Sequence, residues 1–213
     1  MPLPQQEREA IHEYCIRDLG GNIDWYIDQF RFIPDIELRK RLGRAFYTAR
    51  YVYKLMEALF VNGDEQHAFV KFQVMQYASI YEAVISNLLW GRYKDHPAVF
   101  ALENHRVLKE VPGFSKSMSA KFDGDEAHIS VYRPTKKQRN SISFGDKVDC
   151  AVKVGFVGDT YAEEIKKLYA LRNLAHIENE AGKQIDVEIE QSKQAYWRMQ
   201  PFLQHIIDVT GSG

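Results

Sequence analysis

The stretch that most constrains this chain is residues 65–91, which run through FVKFQVMQYASIYEAVISNLLW and are hydrophobic on almost every side. A helix with no polar face has to be surrounded, so this spacing predicts a central helix in a helical bundle. Ala78, Tyr81, Glu82, Ile85 and Leu89 share one face at about 100° per residue, which puts a carboxylate on an otherwise buried stripe. A buried charge needs an opposite charge or several hydrogen bonds. The partner of Glu82 is therefore either a core tyrosine or backbone group, or one of the two basic side chains described below.

Periodicity extends the bundle in both directions. Leu42, Ala45, Phe46, Ala49, Val52, Tyr53, Met56, Leu59 and Phe60 predict a long amphipathic helix, with Arg41, Arg44 and Lys54 off its apolar face. Residues 5–19 predict a short helix stopped by Gly20-Gly21, and Asn22 or Asp24 can cap a brief segment through Phe30. Val61-Asn62-Gly63-Asp64 reads as a turn and cap. From Gly91 to about Gly145 helical spacing weakens. HISVYR (128–133) alternates like a strand, and Ser141–Phe144 is its expected partner across a turn at Pro134–Asn140, with Lys136, Lys137 and Arg139 at the tip. Too few apolar residues remain there for a second core. Residues 144–158 predict another helix. Tyr196, Met199, Leu203, Ile206 and Ile207 predict a terminal one, begun by Asp186 and kinked at Pro201. The expectation is an all-α fold: one domain over 1–213, with an N-terminal helical extension (1–33) and a small β-hairpin insertion (92–145).

Residues 161–179, YAEEIKKLYALRNLAHIEN, contain the second breach of pattern. Asp159 and Thr160 offer N-cap oxygens, and Thr160-x-x-Glu163 has capping-box spacing. Tyr161, Ile165, Leu168, Tyr169, Arg172 and His176 fall on one face. Four of these are an ordinary apolar stripe; the last two put a guanidinium and an imidazole on it. Such breaks of local pattern often mark function.

Other chemistries find little footing. The seven histidines are scattered without His-x-x-x-His spacing, there is no Cys-x-x-Cys, and neither GxxxxGK nor GxGxxG occurs. No metal site and no cofactor are expected. The formal net charge of −1 confines any affinity for nucleic acid to a local patch, and the Lys136, Lys137, Arg139 cluster is one candidate, set against an ordinary solvated turn. Two distant cysteines, Cys15 and Cys150, fit a reduced compartment better than a disulfide framework. With no signal pattern read at the N-terminus and no apolar run of membrane-spanning length, a cytoplasmic location without membrane contact is expected.

Leu171-Arg172-Asn173-Leu174-Ala175-His176, at the end of a long helix, resembles the signature of HEPN (higher eukaryotes and prokaryotes nucleotide-binding) domains. SIYEAVISNLL and SISFGDKVDCAVKVGFV are similar to the corresponding stretches of antiphage members, and the resemblance covers roughly residues 40–210. It implies an all-α HEPN-like bundle and a homodimer whose two motifs meet across a shared cleft. It further implies a metal-independent endoribonuclease of the toxin–antitoxin, abortive-infection or antiphage defence type, with an antitoxin or other defence protein as a possible partner. By position, Arg172 matches the family arginine, Asn173 the polar residue after it, His176 the histidine, and Glu82 the acid of the earlier helix. The family usually has four to six residues between arginine and histidine. Here there are three, which turns His176 by about 100° from the shortest family spacing and leaves open a local bulge or a domain without activity.

The residue types suit RNA cleavage on their own terms. A ribose 2′-OH can attack the adjacent phosphate; histidine titrates near neutrality and can move the proton. Arginine can hold the phosphate in a planar fork while charge gathers on its oxygens, and Asn173 can orient either group or bind RNA. Two alternatives stand beside the nuclease. One is a catalytically inactive helical interaction or regulatory module. In the other, Arg172 and His176 are core polar residues bound to Glu82 and backbone.

Overall fold

The expected central helix forms as one continuous element, α4 (Asp64–Trp90), in the computed structural model, which describes residues 2–111, 121–122, 125–126, 128–174 and 189–211, with backbone alone at 121, 122, 126, 173 and 174. Before it come α1 (Gln5–Arg17), α2 (Ile23–Asp28) and α3 (Ile36–Ala58). After it come α5 (Pro97–Glu103), α6 (Phe144–Val154), α7 (Asp159–Leu174) and α8 (Ile189–Thr210). Helices α3, α6, α7 and α8 all pack on α4. The main core joins Tyr26 of α2, Phe46 of α3, Tyr77, Ile85 and Leu89 of α4, Val148 of α6, Ile165 of α7 and Phe202 of α8. The chain is thus mostly helical. Among the described residues no helix is long and apolar enough to cross a membrane.

Local chemistry accounts for the boundaries. The Asn22 side chain accepts from the Trp25 amide at 3.0 Å to start α2, Asp35 accepts from Glu37 and Leu38 to start α3, and Ser143 accepts from Asp146 to start α6. Gly155, with φ at 94°, ends α6 in the left-handed conformation that glycine adopts without penalty. Helix α7 begins two residues earlier than the Thr160-x-x-Glu163 pattern suggested, so Asp159 and Thr160 lie inside its first turn. Helix α8 runs through Pro201; the Asp186 cap lies outside the described residues.

Residues near the N-terminus do more than extend the bundle. Leu19, Tyr26, Phe30, Phe32 and Ile33 are all in the main core. Lys54, read as off the apolar face, is buried because α1 packs over it. Its ammonium lies 2.6 Å from Glu57 and 3.3 Å from Asp18. Conversely, α3 stops at Ala58, so Phe60 leaves the predicted stripe and is 85% exposed. A buried polar tie closes α4 against α8: Ser192 bonds Gln73 at 2.5 Å, and the Gln73 amide donates to the Phe69 carbonyl at 3.0 Å.

The insertion differs from expectation in a specific way. The strand seen in HISVYR is β4 (Ser130–Lys136), but its partner is β1 (Asn104–Glu110), not Ser141–Phe144. Those residues instead end a 3-10 turn (Arg139–Ser141) and open α6. A second, minimal pair, β2 (Lys121–Phe122) with β3 (Asp125–Glu126), lies between them in sequence. Lys136, Lys137 and Arg139 are accordingly not at a hairpin tip. They lie where the β1–β4 ribbon rejoins the helices, and Glu103, the last residue of α5, gathers two of them. Its carboxylate lies 2.6 Å from Arg139 Nε and 3.2 Å from Lys136 Nζ, while the Lys137 amide donates to the Glu103 carbonyl at 2.8 Å.

This architecture can be tested at a glycine and at a carboxylate. Gly43 lets α2 approach α3 so closely that a Cβ there would lie 2.6 Å from the Ile27 Cα. Gly43→Ala should cost about 1–3 kcal/mol through forced backbone displacement, read as a lower urea midpoint with an unchanged slope. At Glu103 the hydrogen bond from Arg139, offset in part by burial, holds the carboxyl below its ordinary value of 4.5. Its contribution is therefore full above that pH and fades as pH falls through the lower folded value. Melting curves of wild type and Glu103→Gln should differ at pH 6 and converge in acid; equal separation at every pH would refute the assignment.

Candidate functional site

Three helices converge on Glu82. It lies in the second half of α4, on the side met by α6 and α7. From the last turn of α7, Arg172 Nη1 donates to Glu82 Oε2 at 2.7 Å. From α6, Lys147 Nζ approaches the other carboxylate oxygen, Oε1, at 3.7 Å. The Tyr169 side chain lies beside both Glu82 and Arg172. Burial first, and then the Glu82 charge, push its phenol above the ordinary value despite the opposing effect of Arg172. Of the partners considered for Glu82, the structure brings together Arg172 and a tyrosine.

The placement of this cluster differs from a buried stripe. Ala78, Tyr81, Ile85 and Leu89 are buried, but the side chains of Glu82 and Arg172 each remain 29% exposed. The pair therefore sits at the rim of the α4–α6–α7 seam. Apolar and aromatic surfaces hold it in place: the Arg172 guanidinium lies 5.0 Å from the Tyr169 ring centre, and that ring packs on Phe144 at 4.2 Å. Lys166 reaches from α7 to Asp149 of α6 at 2.5 Å, fixing the same two helices from the solvent side.

Lys147 was not anticipated. It is buried, with its ammonium 5.3 Å from the Trp90 ring centre, and Arg139 approaches the same ring at 5.5 Å. A signal existed: Phe144, Lys147, Val148 and Ala151 fall on one face of α6, so Lys147 breaches an apolar stripe just as Glu82 does. Of the residues singled out in the sequence, Arg172 and Glu82 are joined. Asn173 lies in α7, its side chain outside the described residues, and His176 lies outside them altogether. Lys136 and Arg139 belong to the Glu103 node, and Lys137 follows β4 with its side chain exposed.

On the other side of α7 a groove of about 290 Å³ separates it from α8, floored by Tyr81, Tyr161, Leu168 and Ala195. Glu164 lines it, one oxygen paired with Arg198 at 3.0 Å and the other, Oε2, buried without a hydrogen-bond partner among the described residues. Among those residues no three His, Cys, Asp or Glu side chains form a group that could hold a metal ion. Cys15 and Cys150 are buried free thiols, and burial raises the pKa of each.

The arrangement can hold an anion. A guanidinium has five donors, and Glu82 occupies one edge while the exposed part of Arg172 remains open to a phosphate or carboxylate. Glu82, with one oxygen on Arg172 and the other facing Lys147, is placed as an orienting group.

The carboxylate should matter more to stability than either cation alone. Removing Arg172 leaves Glu82 with Lys147 and with water, at a cost of about 1 kcal/mol. Removing Glu82 takes away the carboxylate found within 4 Å of buried Lys147 among the described residues, at a cost of about 2–4 kcal/mol. Chemical denaturation should thus rank Glu82→Ala below Arg172→Ala, with the double variant no worse than Glu82→Ala by more than about 0.5 kcal/mol. The reverse order would show that the cluster is not organised around Glu82.

No family model, no curated protein and no solved structure matches this chain.

Proposed function

We propose that this protein is a metal-independent endoribonuclease of the HEPN kind, acting as a toxin or antiphage defence effector. The observation that carries the reading is the Arg172–Glu82 pair: a guanidinium held by a carboxylate and by the Tyr169 ring, yet left at the solvent rim of a helical seam. A guanidinium needed only for packing gains nothing from keeping that exposure, whereas one that grips a phosphate requires it.

In this proposal Arg172 holds the scissile phosphate and neutralises the charge that grows on its non-bridging oxygens. Glu82 positions Arg172, and Asn173 orients the phosphate or the histidine. His176 takes the proton from the ribose 2′-OH as that oxygen bonds to phosphorus. The bond from phosphorus to the 5′-oxygen breaks, leaving a 2′,3′-cyclic phosphate, and the departing oxygen takes up a proton. One histidine cannot give and take in the same step, so a homodimer with His176 of a second copy as the acid completes the scheme.

A second reading has a specific observation in its favour. Arg172 already has an acidic partner in its own chain, and three residues rather than four separate it from His176. On that basis the fold serves as an inactive interaction module, with the pair as a structural tie.

The two readings part in one experiment. Purified protein incubated with total RNA in EDTA should cleave it, and the products should carry cyclic phosphate ends. Arg172→Ala and His176→Ala should each remain folded and reduce cleavage by about 100-fold or more. Light scattering should give a dimer. A wild-type protein that leaves RNA intact, or a His176→Ala variant that cleaves as well as wild type, would discard the nuclease and favour the module.

A further inference from the structure

The β1–β4 ribbon has little packing reason to exist. Antiparallel two-stranded pairs are barely stable alone in water, yet along most of this one both faces are open to solvent. Its composition is equally unlike the rest of the chain. Arg106, Lys109, Arg133, Lys136, Lys137 and Arg139 lie in the two strands and the turn after them, against one carboxylate, Glu110. Glu110 is itself 2.9 Å from His128. Because the whole chain has a formal net charge of −1, the remainder carries an excess of acid. A polyanion is attracted to the ribbon and repelled from the rest.

The register gives this charge a pattern. Leu108 stands directly opposite Tyr132, and Arg106 opposite Pro134, so these four share one face with Arg106 diagonal to the tyrosine. Tyr132 is 65% exposed and Leu108 59%, making an apolar platform bordered by a guanidinium. Lys109 and Arg133 project from the opposite face, and Lys137 continues past the end of β4. Glu103 binds Lys136 and Arg139, which fastens the ribbon. Arg106, Lys109, Arg133 and Lys137 have no acidic partner within 4 Å among the described residues.

We propose that the β1–β4 ribbon is a docking surface for single-stranded RNA, with a base stacked on Tyr132 and phosphates paired with Arg106, Lys109, Arg133 and Lys137. An exposed ring can stack on a base only where that base is free of a duplex; Arg106 on the same face meets the phosphate beside that base, and Lys109, Arg133 and Lys137 meet the backbone where the strand wraps past the ribbon's edge. The proposal rests on the RNA-directed reading above for its choice of RNA over DNA, and it places substrate capture on a surface separate from Arg172.

The test is fluorescence anisotropy of a labelled oligouridylate of about 20 nucleotides with the full-length protein, from about 50 to 300 mM KCl. Tyr132→Ala should weaken binding about tenfold or more, and Tyr132→Phe should restore it because the ring is retained. Replacing Arg106, Lys109, Arg133 and Lys137 together with Ala should flatten the slope of log affinity against log salt by about 0.7 for each phosphate no longer neutralised. Lys40→Ala, on α3, should change neither quantity, and circular dichroism should match wild type throughout. Ribbon variants that bind like wild type, or no binding of the oligouridylate by wild type, would overturn the proposal. Equal or tighter binding of single-stranded DNA or of duplex RNA would overturn the assignment to single-stranded RNA. Cleavage that persists with unaltered binding in the ribbon variants sinks this inference and spares the nuclease. Ribbon-dependent binding in a protein that never cleaves does the reverse.

Discussion

A helix that is apolar on almost every side must be covered on most of them, and α4 imposes that demand on the whole chain. Helices α3, α6, α7 and α8 meet it except along the face of Phe72, Met75 and Ser79, which stays exposed, and each adds a seam where two surfaces join. A seam is the one place where a polar group can reach several elements at once while retaining some water. Gln73 and Glu82, both on α4, lie at such seams. Gln73 is fully covered and satisfied by Ser192 and a backbone carbonyl. Glu82 sits at a rim and is satisfied by cations from two helices. The first cluster is closed to solvent; the second leaves Arg172 partly exposed.

Much of the helical architecture was legible because burial and periodicity are the same fact seen twice. Positions such as Phe46, Ile85 and Leu203 repeat at helical spacing because each faces the same core. The pairing of Glu82 with Arg172 was legible as one of a few options, since a carboxylate on an apolar face has few possible partners. Lys147 and Lys54 were harder. A long side chain can be covered by an element whose position is unknown until the fold is known, and α1 covers Lys54 in that way.

The misplaced strand partner has a different origin. Alternation reveals a strand when one face is buried, and β1, as NHRVLKE, buries almost nothing along its length. It therefore shows no alternation to find. Nearness in sequence then favoured Ser141–Phe144 as the partner, although Ser143 and Asp146 already formed a helix start. The same exposure that hid β1 from pattern reading is what leaves its side chains available to a partner.

The way the ribbon joins the bundle bears on how such chains can vary. The chain leaves the helices at Glu103 and returns at Lys137, and a backbone hydrogen bond of 2.8 Å joins those two residues. Entry and exit are thus already adjacent, and the Glu103 carboxylate holds them there from the side-chain direction as well. Lengthening or shortening everything between them changes the entropy of closing a loop only slowly with its length and moves no helix. Related chains can accordingly differ greatly in size between these two points while preserving the same bundle, and alignments that penalise long gaps there will separate proteins whose cores are alike.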